Sequence, residues 1–175
     1  VQCGSDAILK RMSRKYSVAH YLERARKLQA AVPDIALTTD LIVGFPGETE
    51  ADFQGTLRLL EEVRYDLVFS FKYSPRTGTP AARMLDPVEE PVKDERLARL
   101  NALAWKHASE KHAARVGKVE EVLVDGPADR TPGASYGKTR QNKTLVITNG
   151  VFPTGSLVRV KVEGSKIAAL YGTAV

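Results

Sequence analysis

The stretch Ile35-Ala-Leu-Thr-Thr-Asp-Leu-Ile-Val-Gly-Phe-Pro-Gly-Glu-Thr49 decides the fold of the first part of this 175-residue chain. Residues 35–43 form a β-branched, apolar run that predicts a buried strand. The glycines and proline of residues 44–47 end that run, and Thr49 begins a helix with Asp52 placed to complete a loose capping box. The stretch therefore predicts a strand, a tight turn and a helix in succession.

The same alternation continues on both sides of this stretch. Apolar side chains recur at helical spacing over residues 21–32 and again over 91–115, whereas residues 67–73 predict a second strand. This order predicts parallel strands with helices packed outside them. Ligands bind at the carboxyl ends of such strands, so the candidate loops are residues 2–5, 44–49 and 73–80.

The hydrophobic period changes to two after Gly117. Four short strands are predicted there, separated by Gly, Pro and Asn: residues 119–124, 144–148, 157–162 and 167–171. Four or five short strands in so few residues indicate a small antiparallel barrel. The predicted domains are therefore residues 1–116, of α/β type, and residues 117–175, which are all β.

Composition excludes several classes of protein. The chain is 43% hydrophobic and 27% charged, as in ordinary globular proteins, and has one cysteine, Cys3. No apolar stretch is long enough to span a bilayer and no signal segment opens the chain, so we expect no membrane association and a cytoplasmic location. Cys3 alone cannot form an internal disulfide or hold an iron–sulfur cluster or zinc. The start at Val1, without an initiator Met, suggests a piece of something longer.

Basic residues concentrate in the second part of the chain. Residues 130–162 contain no acidic residue and six basic ones, Arg130, Lys138, Arg140, Lys143, Arg159 and Lys161. On a small barrel, this distribution suits the phosphate backbone of a nucleic acid. A solvated basic face is the other interpretation, and charge alone leaves both open.

Candidate polar residues lie at or near the predicted strand ends. A carboxylate inside a buried strand costs several kcal/mol unless it is paired, so we expect Asp40 to have a partner, either structural or on a ligand. The same two kinds of partner are open for Gln2, at the preceding strand end, and for Arg14, on the helix that follows it. The turn over residues 44–49 is favoured as a tight turn over an anion-binding loop. The histidines have no metal-site spacing, and Cys3 is predicted to be a small buried hydrophobe.

Four ordered segments resemble the radical S-adenosylmethionine methylthiotransferases. Residues 1–14 are similar to VQSGSD-x-x-L-x-x-M-x-R, residues 39–53 to TDxIVGFPGETEEDF, and residues 71–81 to FxYSPRPGTPA with Thr77 in place of Pro. Residues 137–143 resemble the GRTRxNK signature of the TRAM domain, a small RNA-binding β-barrel. The resemblance implies an α/β fold, namely the C-terminal part of a radical-SAM partial TIM-type (β/α) barrel, followed by an all-β TRAM barrel.

The resemblance fits best the tRNA branch of that family, which methylthiolates carbon 2 of N6-isopentenyladenosine next to the anticodon. It implies S-adenosylmethionine, two [4Fe–4S] clusters, a tRNA anticodon stem-loop as substrate and an external electron donor. The cluster cysteines of the family, a Cys-x-x-x-Cys-x-x-Cys motif and three in an N-terminal domain, lie outside these residues. We therefore expect no metal ligand in this chain and no activity from it alone.

The resemblance also assigns residue roles. It places Gln2, Arg14 and Asp40 near S-adenosylmethionine, with Arg14 on the methionine carboxylate and Asp40 on the ribose. Pocket-wall residues are Ser5, Ile42, Tyr73 and Ser74, and the RNA contacts in the TRAM signature are Lys138, Arg140, Asn142 and Lys143. No catalytic residue is predicted. Cys3, which stands where the family usually has Ser, is taken as a neutral substitution.

Three alternatives stay open at this point. The threonylcarbamoyladenosine branch also modifies tRNA, and the sequence does not show which of the two modified adenosines is the substrate. A non-catalytic RNA-binding protein that kept the barrel as a scaffold is a rival from another class. A different radical-SAM enzyme would require the TRAM resemblance to be accidental.

Overall fold

The computed structural model describes residues 1–85, 87–166 and 168–175. Their contacts divide into two units, Val1–His107 and Ala108–Val175. Ile167, where the last predicted strand begins, lies outside the described residues. No helix of the described part is long and apolar enough to cross a membrane.

The first unit alternates helices and strands around a two-stranded parallel sheet. Its helices are α1 (Asp6–Arg11), α2 (Val18–Ala31), α3 (Glu50–Val63) and α4 (Glu90–Ala113), the last of which continues into the second unit. The strands β1 (Thr38–Val43) and β2 (Leu67–Lys72) pair in parallel, and a short 3₁₀ helix covers Pro80–Arg83. The predicted parallel strand–helix–strand unit is confirmed, although β1 begins three residues later than the predicted run.

The helix α3 starts where the sequence predicts. The Thr49 hydroxyl accepts a hydrogen bond from the Asp52 amide at 3.2 Å, and the Thr49 amide donates to the Asp52 carboxylate at 3.0 Å. Two of the amides at the start of α3, those of Thr49 and Asp52, thereby gain a partner. The predicted capping box is confirmed, and it fixes where the chain leaves the end of β1.

The sheet buries only one of its faces against the described residues. Leu41 and Val43 of β1 are fully buried in a core with Phe53, Leu60 and Leu100. The opposite face carries Asp40, Leu67, Phe69 and Phe71, and the two phenylalanines are 51% and 52% exposed. The expectation that Asp40 is buried is wrong, because strand residues alternate between faces and Asp40 lies on the open one.

The second unit is a closed five-stranded barrel. Its strands are β3 (Val119–Pro127), β4 (Ser135–Thr139), β5 (Thr144–Ile147), β6 (Leu157–Ser165) and β7 (Leu170–Ala174), in the order β3-β4-β5-β7-β6. The predicted barrel is confirmed. The prediction that it is antiparallel throughout is wrong in one place, because β5 and β7 pair in parallel.

Small inward residues make this barrel possible. Gly137 and Gly172 face inward, and a Cβ at either position would lie 2.1 Å from a carbonyl oxygen of a neighbouring strand. Most of the remaining interior is filled by apolar side chains: Val122, Val124, Leu145, Ile147, Val160, Val162 and Leu170. The sequence did not predict β4 as a strand, because its inward positions are Ser135, Gly137 and Thr139 rather than apolar residues.

Candidate functional site

The first residues of the chain lie beside β1. The Ile42 amide donates to the Gln2 carbonyl at 2.9 Å, and the Thr39 hydroxyl donates to the Val1 carbonyl at 3.0 Å. Gly4 packs against α3 so closely that a Cβ there would lie 2.3 Å from the Gly55 carbonyl oxygen. This segment therefore brings Gln2 next to the open face of the sheet.

A cavity of about 740 Å³ opens at the carboxyl ends of β1 and β2. Its volume lies within the range of small-molecule sites. Six of the seven predicted cofactor-binding residues line it: Gln2, Arg14, Asp40, Ile42, Tyr73 and Ser74. Residues from the start of the chain, from β1 and from the loop after β2 thus meet at one edge of the sheet, as expected for a parallel strand arrangement.

The structure does not bring Ser5 into this cavity lining. The Ser5 hydroxyl caps α1 by accepting from the Ile8 amide at 3.4 Å and donates to the Asp52 carboxylate at 2.5 Å. Burial tends to raise the pKa of Asp52, but hydrogen bonds from Ser5 and Thr49 outweigh it and lower that pKa. Ser5 accordingly ties the start of α1 to the start of α3.

A second set of side chains in the lining was not predicted individually. Arg11 and Arg76 line the cavity together with Thr79 and Pro80. Residues 76–80 belong to the loop that the strand order marked as a candidate, so that signal was available. The packing of Arg11 against the turn, where a Cβ on Gly47 would lie 2.7 Å from the guanidinium carbon, had no sequence signal.

Local contacts hold Gln2 and Arg14 in place. Tyr16 donates from its hydroxyl to the Gln2 side-chain oxygen at 3.0 Å, which directs the amide nitrogen of Gln2 as a donor. After α1 the chain turns back through Ser13, which has a φ of 58°, and the Arg14 amide donates to the Leu9 carbonyl at 2.9 Å. This left-handed turn carries Arg14 to the cavity that Asp40 also lines.

Tyr73 provides the aromatic wall of the cavity. Its ring packs edge-on against Phe45 with the centroids 5.0 Å apart, and its amide donates to the Val43 carbonyl at 2.8 Å. The Tyr73 hydroxyl oxygen is buried and has no hydrogen-bond partner among the described residues. A buried hydroxyl without a partner is costly, so this atom fits a polar ligand in the cavity.

The turn after β1 is closed by the protein's own carboxylate. Glu48 is buried and accepts from the Gly44 amide at 2.7 Å and from the Arg96 guanidinium at 2.8 Å. Burial raises the pKa of Glu48, while the Gly44 amide and Arg96 oppose that rise. The Gly44 amide is therefore engaged internally, which favours the tight-turn interpretation over an anion-binding loop.

Cys3 is fully buried with Ile8, Leu9 and Phe45. Burial raises the pKa of its thiol to about 11, so the thiolate is scarce at neutral pH. The prediction of a small buried hydrophobe is confirmed. Among the described residues, no three His, Cys, Asp or Glu side chains group into a potential metal site.

The predicted RNA contacts of the barrel separate into two kinds. Arg140 has an 80% exposed side chain, 3.4 Å from the Glu121 carboxylate, and Lys138 is half-buried and donates to the Thr144 hydroxyl at 2.8 Å. Asn142 is exposed in the β4–β5 turn with a φ of 57°. Lys143, in contrast, is only 6% exposed, so the structure does not present it as a surface cation.

Comparisons with known sequences match the two units in order. Residues 1–60 match the Radical SAM superfamily and residues 113–175 match the TRAM domain. A tRNA-2-methylthio-N(6)-dimethylallyladenosine synthase of Bacillus cereus (strain B4264) is 49% identical over 175 residues, which is 100% of this chain and 34% of the relative. Proteins with that name from Bacillus anthracis and Geobacillus thermodenitrificans (strain NG80-2) are 50% and 49% identical over 100% and 98% of the chain.

The chain spans 34% of the length of the first of these relatives. Identity near one half along the whole chain accompanies both domain matches, and the chain carries the motif segments quoted above. The chain therefore belongs to the radical S-adenosylmethionine methylthiotransferase family.

Proposed function

We propose that this chain is part of an enzyme that methylthiolates carbon 2 of N6-isopentenyladenosine, next to the anticodon of tRNA, in the cytoplasm. The relatives, which are named as tRNA-2-methylthio-N(6)-dimethylallyladenosine synthases, favour this branch over the threonylcarbamoyladenosine branch. The observation that carries the proposal is the cavity at the strand ends, where Gln2, Arg14 and Asp40 meet. In the proposed role, this chain supplies part of the cofactor cradle and a tRNA-binding barrel.

The residues of the cavity fit S-adenosylmethionine. A guanidinium matches the geometry of a carboxylate, so Arg14 would hold the methionine end. Asp40 is exposed on the cavity side of the sheet and would accept from the ribose hydroxyls. The buried Tyr73 hydroxyl offers a further polar contact that the described protein leaves unused.

When bound beside a [4Fe–4S] cluster, S-adenosylmethionine supplies the radical chemistry and the methyl group of the reaction. The chain's own residues orient and enclose it. Tyr16 fixes the side chain of Gln2, and the edge-on pair of Phe45 and Tyr73 forms an apolar wall that keeps water from one side of the cavity. The ligands of both proposed clusters and the external electron donor are expected from outside this chain.

The open face of the β1–β2 sheet supports a larger barrel in the complete protein. Leu67, Phe69 and Phe71 are about half exposed on that face, whereas parallel sheets in α/β proteins are normally covered on both faces. We propose that further strands of a partial (β/α) barrel enclose this face. In this proposal residues 1–116 belong to that barrel and its linking helix, and residues 117–175 form the TRAM domain.

Substitution of Asp40 in the full-length enzyme tests the cofactor assignment. Asp40→Asn should weaken S-adenosylmethionine binding about tenfold, because a carboxylate accepts more strongly from paired hydroxyls than an amide does. Titration calorimetry measures this. Thr38→Val is the matched control, since Thr38 lies on the same face of β1 but does not line the cavity. Equal affinities in all three proteins would contradict the assignment.

The modified nucleoside in tRNA tests the activity. Mass spectrometry of tRNA nucleosides from a strain lacking the gene should show loss of the methylthio group from N6-isopentenyladenosine. Loss of the methylthio group from threonylcarbamoyladenosine instead would support the other branch. Unchanged nucleosides would support a non-catalytic RNA-binding protein.

A further inference from the structure

Two tyrosines stand on one row across the outside of the barrel. Strand pairing aligns Tyr136 of β4 with Val146 of β5, and Val146 with Tyr171 of β7. All three lie between fully buried neighbours on their strands and are themselves half-buried, so they face outward. Because neighbouring strands are about 4.8 Å apart, the two tyrosines stand about 10 Å apart with one valine between them.

Glycine ends this row on both sides. Gly126 of β3 lies opposite Tyr136, and Gly164 of β6 lies opposite Tyr171. An added Cβ at Gly164 would meet nothing within 4 Å, and one at Gly126 would meet only the Thr154 hydroxyl at 3.8 Å. Tyr171 therefore has open space on the side away from Val146, whereas Tyr136 has there the buried Gly126, which carries no side chain that could cover the ring.

The strands that carry the row supply a lysine and no carboxylate. The strands β4, β5 and β7 contain no acidic residue, and the Glu163 carboxylate of the adjoining β6 accepts from the Thr173 hydroxyl at 3.0 Å. Lys138 faces outward two residues after Tyr136, and the Lys166 ammonium lies 5.2 Å from the centre of the Tyr171 ring. Each ring thus has a lysine close enough to neutralise the phosphate of a nucleotide stacked on it.

We propose that Tyr136 and Tyr171 form a stacking platform for two unpaired bases of RNA, with Lys138 and Lys166 on the adjoining phosphates. Every base has a flat π-face, so aromatic side chains beside cations bind single strands with little dependence on sequence. The paired bases of a helix offer no such faces along their length. This inference deepens the proposed tRNA binding and rests on it: the barrel would take the unpaired part of an RNA loop.

Binding of a labelled single-stranded RNA octamer to the full chain tests the platform. Tyr136→Leu and Tyr171→Leu should each weaken binding about tenfold, whereas Tyr136→Phe and Tyr171→Phe should bind like the original chain because the ring remains. The slope of affinity against salt should not change in the leucine variants, since no phosphate contact is lost. Lys138→Ala should instead reduce that slope by about 0.7. Val119→Ala, at an exposed position on β3, is the control.

A fluorescent base gives a second, independent measurement. An octamer that carries 2-aminopurine should be quenched on binding, because stacking on a tyrosine quenches that base, and the quenching should fall in each leucine variant. Equal affinity of the leucine variants, absence of quenching with the original chain, or failure of that chain to bind the octamer would each overturn the platform. If a leucine variant fails to fold, the quenching seen with the original chain and the phenylalanine variants decides.

These outcomes are separate from a failure of the proposed function. That failure would be seen in the full-length enzyme, as unchanged S-adenosylmethionine affinity in Asp40→Asn or as unchanged tRNA nucleosides. An octamer that binds and is quenched would support the platform in either case.

Discussion

The two units differ in how the edges of their strands are paired. In the second unit each of the five strands pairs with two others, so the sheet has no free edge and its interior is filled by its own side chains. Among the described residues of the first unit, the two strands pair only with each other as sheet partners, and Phe69 and Phe71 remain about half exposed on one face. The closed unit can offer only its outer surface to a ligand, whereas the open unit offers the ends and the uncovered face of its strands.

The two units also differ in the polar groups that they bury. The first unit encloses an ion pair, Glu48 with Arg96, whose side chains are 1% and 5% exposed. This pair joins the turn after β1 to α4, so it supports the side of the cavity where Phe45 lies. The barrel interior is built mainly from apolar residues and from glycines that allow close strand contact, and Ser135 and Thr139 are its polar inward positions on β4. The second unit has an ion pair of its own, Arg115 with Glu120, whose side chains are 11% and 9% exposed. Removal of the Glu48 charge should therefore damage the first unit, and added volume at an inward glycine should damage the second.

Glu48→Gln should have the largest effect on stability. It removes the only buried carboxylate that the described residues place on the Arg96 guanidinium and leaves the half-exposed Glu50 at 3.6 Å, which costs about 3 kcal/mol. Urea unfolding measures the cost, and amide exchange should place the loss in residues 1–107. Glu95→Gln is the control, because the Glu95–Arg99 pair is exposed and is worth less than about 0.5 kcal/mol. Equal effects of both variants would contradict the role given to the buried pair.

Gly137→Ala should destabilise the barrel by about 2 kcal/mol. The new methyl group would lie 2.1 Å from the Leu123 carbonyl oxygen, so β3 and β4 would have to separate. Gly164→Ala is the matched control on β6, where a Cβ meets nothing within 4 Å. Thermal unfolding followed by circular dichroism compares them, and a barrel equally stable with either alanine would show that close approach of the strands is not required.

Cys3→Ala should cost about 1 kcal/mol at neutral pH, and the difference should depend on alkali. The thiol pKa is raised from 9.0 to about 11 in the folded chain. A raised pKa means that the thiol's contribution is complete below pH 9.0 and is lost as the pH rises toward about 11. Urea unfolding at pH 7 and pH 10 should therefore show a smaller difference between the two proteins at pH 10. A pH-independent difference would contradict burial of the thiol.

Arg140→Ala should have the smallest effect, about a threefold loss of RNA affinity with a reduced salt slope. Its side chain is 80% exposed. Lys143→Ala should instead lower the stability of the barrel, because Lys143 is buried. Fluorescence anisotropy over a range of salt concentrations separates the two variants. Identical loss of salt dependence in both would restore Lys143 as a phosphate contact.

The sequence predicts the order of elements better than their surroundings. The strand containing Leu41 and Val43 and the capping box at Thr49 follow from local patterns that the structure confirms. The exposure of Asp40 does not follow, because the number of strands that cover a face is not a local property. In the barrel, β4 could not be predicted from its own residues, because its inward positions are small or polar. Its strand conformation depends on pairing with the neighbouring strands.

The candidate site shows the same limit. Motif and strand order place six residues at the cavity, but they cannot tell that the Ser5 hydroxyl is engaged by α1 and Asp52. The burial of Lys143 could not be predicted either, because the basic composition of a turn does not show whether a lysine side chain points inward or outward. Tyr136 and Tyr171 are 35 residues apart and share a row only through strand register.

The strand order of the barrel also has a consequence for its folding. The strand β7 lies between β5 and β6, although it follows both in the chain. Until residues 170–174 pair, β5 and β6 each present an unpaired edge, and such edges recruit strands of other chains. Folding intermediates in which β7 has not yet joined the barrel are therefore the ones most exposed to aggregation.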